Sequence, residues 1–243
     1  MPENQRSSRT DALARISLLE TGSSEVLGRM PNSSNGTFLV RLSNGDDNCL
    51  AIYKPYRGER PLWDFPDGLY RREAAAYLLS IALGNHLVPP TIVRHDLEFG
   101  VGSLQLFVDA DFSRHYFDLL DESDLYPQLI ELCVFDIVAN NSDRKAGHVL
   151  IDATRSIWAI DNGLCFHSDP KLRTVIWEFG DNAISKTTLE SLRSLVKEPP
   201  EQLVELLDPA EVESMIDRAT YLIDTRVVPF IDEEYRSYPW PII

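Results

Sequence analysis

Two acidic residues stand at the ends of short apolar runs in the second half of the chain, at a spacing that suits group-transfer chemistry. Asp143 opens the segment Asp143-Arg-Lys-Ala-Gly-His148, and Asp161 follows His148 by thirteen residues. Phosphoryl transfer needs one carboxylate to orient the attacking hydroxyl, a carboxylate to hold Mg²⁺, and a cation beside the transferred group. Asp143 and Lys145 are therefore candidate catalytic residues, and Asp161 is a candidate metal ligand.

The same residues also have a plainer interpretation as turns. An aspartate that follows a helix commonly initiates a turn, and the basic residues after Asp143 would then be solvated. Asp161-Asn-Gly163 is itself a strong turn-forming tripeptide. Both interpretations place Asp143 and Asp161 at the two ends of one predicted β-hairpin.

A lysine and a glutamate in the first half could serve the same chemistry. Ala51-Ile-Tyr-Lys54 ends a predicted strand, and Glu73 lies nineteen residues further on, in a predicted helix. A glutamate that braces a lysine holds its ammonium over nucleotide phosphates. The alternative is a surface lysine at a strand end and a solvated helix glutamate.

The segment Asn32-Ser-Ser-Asn-Gly36 joins two predicted strands close to Lys54. Small residues let backbone N–H groups approach phosphate oxygens, so Ser34 and Asn35 are candidate phosphate contacts. An ordinary hairpin turn explains this composition equally well.

Hydrophobic periodicity divides the chain into a β-rich first half and a mainly helical second half. We expect an α+β fold with an N-lobe over 10–108 that contains one inserted helix, capped by Asp67, and a C-lobe over 109–243; residues 1–9 are predicted to be a disordered tail. The predicted strands are Val26–Met30, Thr37–Leu42, Cys49–Lys54, Thr91–His95, Ser103–Val108, Val149–Asp152 and Ser156–Ile160, and the predicted helices lie near 10–20, 69–84, 124–141, 186–197 and 209–226.

Composition narrows the classes of partner and compartment. The formal charge is −15, so the mean field of the protein repels nucleic acid and anionic membranes, and we expect neither as a partner. No apolar run approaches the roughly 20 residues that span a bilayer, and the polar N-terminus lacks the apolar core of a secretory signal. Three widely spaced cysteines favour a reducing compartment. These features predict a cytoplasmic protein.

Asp143-Arg-Lys-Ala-Gly-His-Val-Leu150 followed by Ile160-Asp-Asn-Gly163 resembles the catalytic and metal-binding loops of the phosphatidylinositol 3- and 4-kinase-like superfamily, in particular a small bacterial branch of uncharacterised function. The resemblance implies a two-lobed protein-kinase-like fold that binds ATP and Mg²⁺, with Mn²⁺ as a possible substitute. It also implies that the connector near 105–108, and with it Gln105 and Phe107, faces the adenine.

His148 departs from the family pattern, which has an asparagine at this position to bind a second Mg²⁺. Imidazole suits Zn²⁺, Fe or Mn²⁺ better than Mg²⁺. His148 is therefore a candidate ligand of a different metal, a residue that orients Asp143 or Asp161, or the mark of a catalytically weak site. The neighbouring amides Asn140 and Asn141 could supply the missing ligand, and Cys165 with His167 raises a zinc alternative.

Arg57, Arg60, Arg71 and Arg72 flank the candidate lysine and glutamate. They could recognise an anionic substrate, or they could pair with the many surface acids. Taken together, these features predict an ATP-dependent phosphotransferase that acts on a small-molecule or protein acceptor. Two alternatives stay open: a nucleotide-binding pseudokinase with a regulatory role, and an AMP transferase on the same fold.

Overall fold

The computed structural model describes residue 12, residues 14–31 and residues 36–243. Its strands are β1 (Ser23–Arg29), β2 (Phe38–Asn44), β3 (Asp47–Pro55), β4 (Thr91–Arg94), β5 (Gly102–Leu106), β6 (Val149–Ile151) and β7 (Ile157–Ala159). Its helices are α1 (Ile16–Thr21), α2 (Leu69–Ala82), α3 (Tyr116–Leu119), α4 (Tyr126–Ala139), α5 (Lys186–Lys197), α6 (Glu201–Glu205) and α7 (Pro209–Thr225). The predicted α+β class, β-rich first and mainly helical afterwards, is confirmed.

The N-terminal strands form one antiparallel sheet in the order β1-β2-β3-β5-β4. Strand β3 lies at its centre, with Lys54 opposite Ser103 and Ile52 opposite Gln105 on β5. Because side chains alternate along a strand, Ala51 and Tyr53 turn into a small hydrophobic core, whereas Ile52 and Lys54 share the opposite face. Lys54 is thereby placed on the face of the sheet that looks away from that core.

Helix α2 connects the sheet to the helical part of the molecule. Its buried residues Ala75, Ala76 and Leu79 belong to the larger core, which is built mainly from α4, α5 and α7. The β6–β7 hairpin also connects the two parts, because its residues Leu150 and Trp158 belong to the small core of the sheet. The inserted helix, which we grouped with the N-lobe, therefore packs against both parts of the protein.

The start of α2 corrects one prediction. Asp67 was expected to cap this helix, but the N-cap position is Gly68, in the left-handed region with φ 88°. The carboxylate of Glu59 instead accepts hydrogen bonds from the backbone N–H groups of Gly68, Leu69 and Tyr70, at 3.2, 3.0 and 2.7 Å. A residue remote in sequence thus satisfies the donors that a local cap would have taken.

Two short helices, α3 and α6, were absent from the sequence-based prediction because one turn or so carries no readable periodicity. Helix α4 is shorter than expected: it ends at Ala139, and the C-cap residue Asn140 adopts a left-handed conformation with φ 50°. Among the described residues, none of the helices has the length and apolar character that a membrane span requires.

Candidate active site

Lys54 stands at the centre of the candidate site. Its ammonium bonds to the carboxylate of Glu73 on α2 and donates to Asp161 Oδ1 at 2.7 Å. Burial alone would lower the pKa of Lys54, but the carboxylates of Asp161 and Glu73 outweigh it and hold the pKa above its ordinary value. One cation therefore connects the sheet, helix α2 and the segment that follows β7.

Glu73 makes a second connection to the same segment. Its side chain is 3% exposed, and Oε2 accepts a hydrogen bond from the backbone N–H of Asn162 at 3.1 Å. A β-carbon on Gly163 would lie 3.3 Å from Glu73 Oε1 and 3.4 Å from Leu69 Cβ. Gly163 was expected to free the backbone for a turn, but in the structure its small size lets the chain pass close to α2.

Asp161 is the residue of this segment that takes the unusual backbone conformation, with φ 59°. Such a conformation is uncommon for a residue with a side chain and is found mostly at turns and functional sites. The Asp161 carboxylate is half exposed, at 53%, and the Lys54 ammonium holds its pKa well below the usual range. It is therefore an ionised carboxylate that faces open space, which is the chemistry that binding of a hard cation requires.

Asp143 and Lys145 form the second acidic part of the site. Lys145 Nζ donates to Asp143 Oδ2 at 2.9 Å, and the Asp143 backbone N–H is held by Asn141 Oδ1 at 3.0 Å. Burial raises the pKa of the Asp143 carboxyl; the Lys145 ammonium opposes this rise, and the negative charge of Asp161 adds to it. A carboxylate with a raised pKa is a better proton acceptor than an ordinary aspartate.

His148 lies between the two aspartate loops and contacts Asp161. Its Nε2 is 3.3 Å from Asp161 Oδ2, and its Nδ1 accepts a hydrogen bond from the Lys145 backbone N–H at 3.4 Å. Burial lowers the pKa of His148 to about 4 despite the nearby Asp161 carboxylate, so the ring is neutral at pH 7. Since Nδ1 is an acceptor, the single ring proton is assigned to Nε2, which donates to Asp161.

A buried ion pair that the sequence did not predict holds the two loops together. Arg144 is 0% exposed and Asp136 is 1% exposed, and Nε and Nη2 of Arg144 donate to both Asp136 oxygens at 2.9–3.1 Å. The same guanidinium donates to the Ile160 carbonyl at 2.9 Å and to Asn162 Oδ1 at 2.7 Å. Arg144 thus fixes the segment of Asp161 relative to that of Asp143. The one sequence signal was Asp136, a charge inside an otherwise apolar stretch of helix.

The alternative metal ligands are occupied by internal contacts. The Asn140 amide donates to the carbonyls of His167 and Asp169 and accepts from the Lys171 N–H. Asn141 bridges Asp136 and Asp143 in the same way. Across the part of the chain that the structure describes, no group of three or more His, Cys, Asp and Glu side chains is arranged to hold a metal. The zinc alternative therefore has no support there.

The remaining predicted nucleotide contacts either have other partners in the structure or lie outside the described residues. The Gln105 side chain is buried and donates to Thr91 Oγ1 at 2.8 Å, while Phe107 is half-buried at the end of β5 with its ring beside Phe112. Ser34 and Asn35 fall outside the described residues. Of the segment they belong to, Gly36 is described, and its N–H donates to the Gly58 carbonyl at 3.0 Å.

The four arginines near Lys54 separate into two pairs. Arg72 forms a buried ion pair with Glu211 on α7, and Arg71 Nε donates to the Leu206 carbonyl at 3.0 Å. These two residues connect α2 to the helical part of the protein. For Arg72, the alternative in which the arginines pair with acidic residues is confirmed. Arg57 and Arg60 lie on the exposed loop after β3.

Two solved structures share this arrangement of sheet and helices. One is a proinflammatory kinase, CtkA, from Helicobacter pylori, with a TM-score of 0.51 and 12% identity over 85% of this chain and 93% of that one. The other is a hydra Fam20 structure with sugar, with a TM-score of 0.54 and 13% identity over 88% of each chain. At such identities the likeness shows the fold alone. The protein therefore has a kinase-like fold.

Sequence comparison identifies relatives of this chain. It is 36% identical over 262 residues to Protein Rv2133c of Mycobacterium tuberculosis, which covers 92% of this chain and 94% of that protein. The chain belongs to the family of that protein. It is also 28% identical over 240 residues to phosphatidylinositol 4-kinase gamma 2 of Arabidopsis thaliana, but spans only 43% of the plant protein's length. No protein-family model matches the chain.

Proposed function

We propose that this protein is an ATP-dependent phosphotransferase that transfers a phosphoryl group to the hydroxyl of a small-molecule or protein acceptor. The observation that carries the proposal is the position of Lys54, which bonds to Glu73 on α2 and to Asp161 after β7. A lysine held in this way, beside an ionised and half-exposed carboxylate, fits Mg²⁺ and the phosphates of a nucleotide. When bound, ATP would supply the transferable phosphoryl group, and Mg²⁺ would neutralise the charge that develops on it.

The residues of the chain would divide the remaining work. Lys54 would hold phosphate oxygens, and Glu73 would fix the position of its ammonium. Asp143 would orient the acceptor hydroxyl and accept its proton, for which a raised pKa is favourable. Lys145, now paired with Asp143, would move to the transferred group. Asp161 would bind the metal.

The contacts of His148 support a positioning role on Asp161 rather than metal ligation. Coordination through Nε2 would need the ring proton on Nδ1, where the Lys145 N–H already donates. Nε2–H instead faces the Asp161 carboxylate that is proposed to bind metal. The pseudokinase alternative rests on this residue, because an imidazole stands where the phosphatidylinositol 3- and 4-kinase-like pattern has an asparagine.

Turnover measurements with purified protein test the proposal. The wild-type protein should hydrolyse ATP, or transfer its phosphoryl group to an acceptor, in the presence of Mg²⁺ or Mn²⁺. Replacing Asp143 with asparagine should lower the rate by roughly 10²–10⁴-fold, the usual contribution of a positioned acid or base. Nucleotide affinity should change little, because Asp143 is assigned to the acceptor and not to the nucleotide.

Three other outcomes would contradict the proposal. Tight nucleotide binding without turnover under either metal, unchanged when His148 is replaced by asparagine, would favour the pseudokinase. An acceptor that gains the mass of an adenylyl group instead of a phosphoryl group would establish AMP transfer. Full activity of Asp143→Asn would remove the catalytic role of that carboxylate.

A further inference from the structure

A cavity of about 420 Å³ lies in the helical part of the protein and takes no part in the proposed phosphoryl transfer. It is bounded by one face of α4, by residues 170–180 and by residues 228–237. Most of its wall is apolar, contributed by Cys133, Ile137, Leu172, Ile176, Val228 and Ile231. Its volume falls in the range of about 300–1,000 Å³ that is typical of small-molecule sites.

Hydrogen bonds to the backbone of the lining residues and their neighbours hold the walls of the cavity in place. The Val175 N–H donates to the Arg144 carbonyl and the Thr174 N–H to the Ser237 carbonyl, both at 3.1 Å. Arg236 Nε donates to the Ile231 carbonyl at 3.1 Å, which fixes the turn of the 228–237 segment. The space is therefore built by the backbone framework and does not depend on a ligand to keep it open.

The charges that line the cavity favour an anion at its rim. Asp136 is the one carboxylate among the lining residues that the structure describes, and Arg144 neutralises it. Lys171 is already bonded to Asp64. Arg173 is exposed, and within the described ranges its guanidinium has neither a hydrogen bond nor an ion pair. Its backbone, by contrast, is held on both sides by Asn141 and Arg144.

We propose that this cavity binds an amphipathic carboxylate, with its apolar body between α4 and the 228–237 segment and its head group paired with Arg173. A mostly apolar interior, with Arg173 as the lining charge that has no ion-pair partner among the described residues, is the arrangement that selects such a molecule. The ligand would also contact Asp136, which holds Arg144 and through it both aspartate loops. Binding of the carboxylate does not depend on the phosphotransferase assignment.

Methyl NMR with decanoate, used below its micelle concentration, tests the site directly. The methyl signals of Ile137, Ile176 and Ile231 should shift in a saturable manner, while those of Ile52 and Ile92 in the sheet stay in place. Arg173→Gln should weaken binding about tenfold, since it removes a charge-assisted hydrogen bond. Arg193→Gln, an exposed arginine on α5, is the matched control and should bind as wild type does.

Further arms separate the parts of the proposal. 1-Decanol, with the same chain and no charge, should bind more weakly than decanoate. Ser237→Trp, at the exposed edge of the cavity, should abolish binding of decanoate. The proposal is overturned if those methyl signals do not move, if Arg173→Gln binds decanoate as tightly as wild type, or if decanol binds equally well.

Discussion

Neutralising Asp136 should destabilise the protein far more than breaking any exposed ion pair. Asp136→Asn preserves the size of the side chain but leaves the Arg144 guanidinium, which is 0% exposed, without a counterion. Removing one partner of a buried pair usually lowers the free energy of unfolding by about 3–5 kcal/mol. Because asparagine can still accept a hydrogen bond from Arg144, we expect the lower end, about 3 kcal/mol.

For a chain of this length, a loss of that size corresponds to a decrease in Tm of about 6–12 °C. Urea unfolding at pH 7, followed by tryptophan fluorescence, measures the change in free energy, and calorimetry measures Tm. The matched control is Glu25→Gln, which breaks the 2.8 Å pair with Arg41 on the outer strands, where the side chains are 65% and 46% exposed. That change should alter the free energy of unfolding by less than about 1 kcal/mol.

The Asp136–Arg144 pair should also matter for nucleotide binding, because Arg144 holds Ile160 and Asn162 on either side of Asp161. Asp136→Asn should therefore weaken nucleotide binding even at temperatures where the variant is fully folded. A variant within about 1 kcal/mol of wild type, with an unchanged slope in urea, would refute the claim that this pair organises the site.

Three further predictions concern the helix cap, the close approach at Gly163 and pH. Glu59→Ala should lower the free energy of unfolding by about 1–2 kcal/mol, because the N–H groups at the start of α2 lose their acceptor, whereas Asp67→Ala should be nearly neutral in the same urea assay. Gly163→Ala should lower the free energy of unfolding by about 1–3 kcal/mol, because the added methyl group would crowd Glu73. Gly28→Ala, with open space around its β-carbon, should not lower it. Equal urea midpoints for the two variants would contradict this. The pKa of Asp161 is lower in the folded than in the unfolded protein. Its ionised carboxylate therefore stabilises the fold above about pH 4, and this stabilisation is lost as the pH falls further. Asp161→Asn should make the urea midpoint less dependent on pH between roughly 5 and 2.

The sequence was sufficient to predict those parts of the fold and site that depend on local pattern. The strands that carry Lys54 and precede Asp161 are short apolar runs, and Glu73 lies in a long periodic helix, so each was placed in the correct element. The pairing of Lys54 with Glu73 was one of two interpretations of that strand and helix, whereas the contact between Lys54 and Asp161 was not predicted.

Features that depend on tertiary packing could not be predicted in the same way. Glu59 caps α2 across nine residues, and nothing in its neighbourhood distinguishes it from Asp67, which is the nearer candidate. Arg144 lies inside the motif that we singled out, yet its partner Asp136 is chosen by how α4 packs behind the loop. The amides of Asn140 and Asn141 were open as metal ligands until the fold showed which backbone groups they bind.

Calorimetric titration of Mg²⁺ and ATP into wild type, Asp161→Asn and Asp181→Asn tests most directly whether Asp161 binds the metal that holds the nucleotide. Asp161 and Asp181 both have positive φ, at 59° and 63°, and asparagine tolerates that conformation, so the two variants carry the same change in charge and the same backbone demand. We expect that Asp161→Asn loses Mg²⁺-dependent nucleotide binding while Asp181→Asn binds as wild type does. Equal affinities in all three proteins would contradict it.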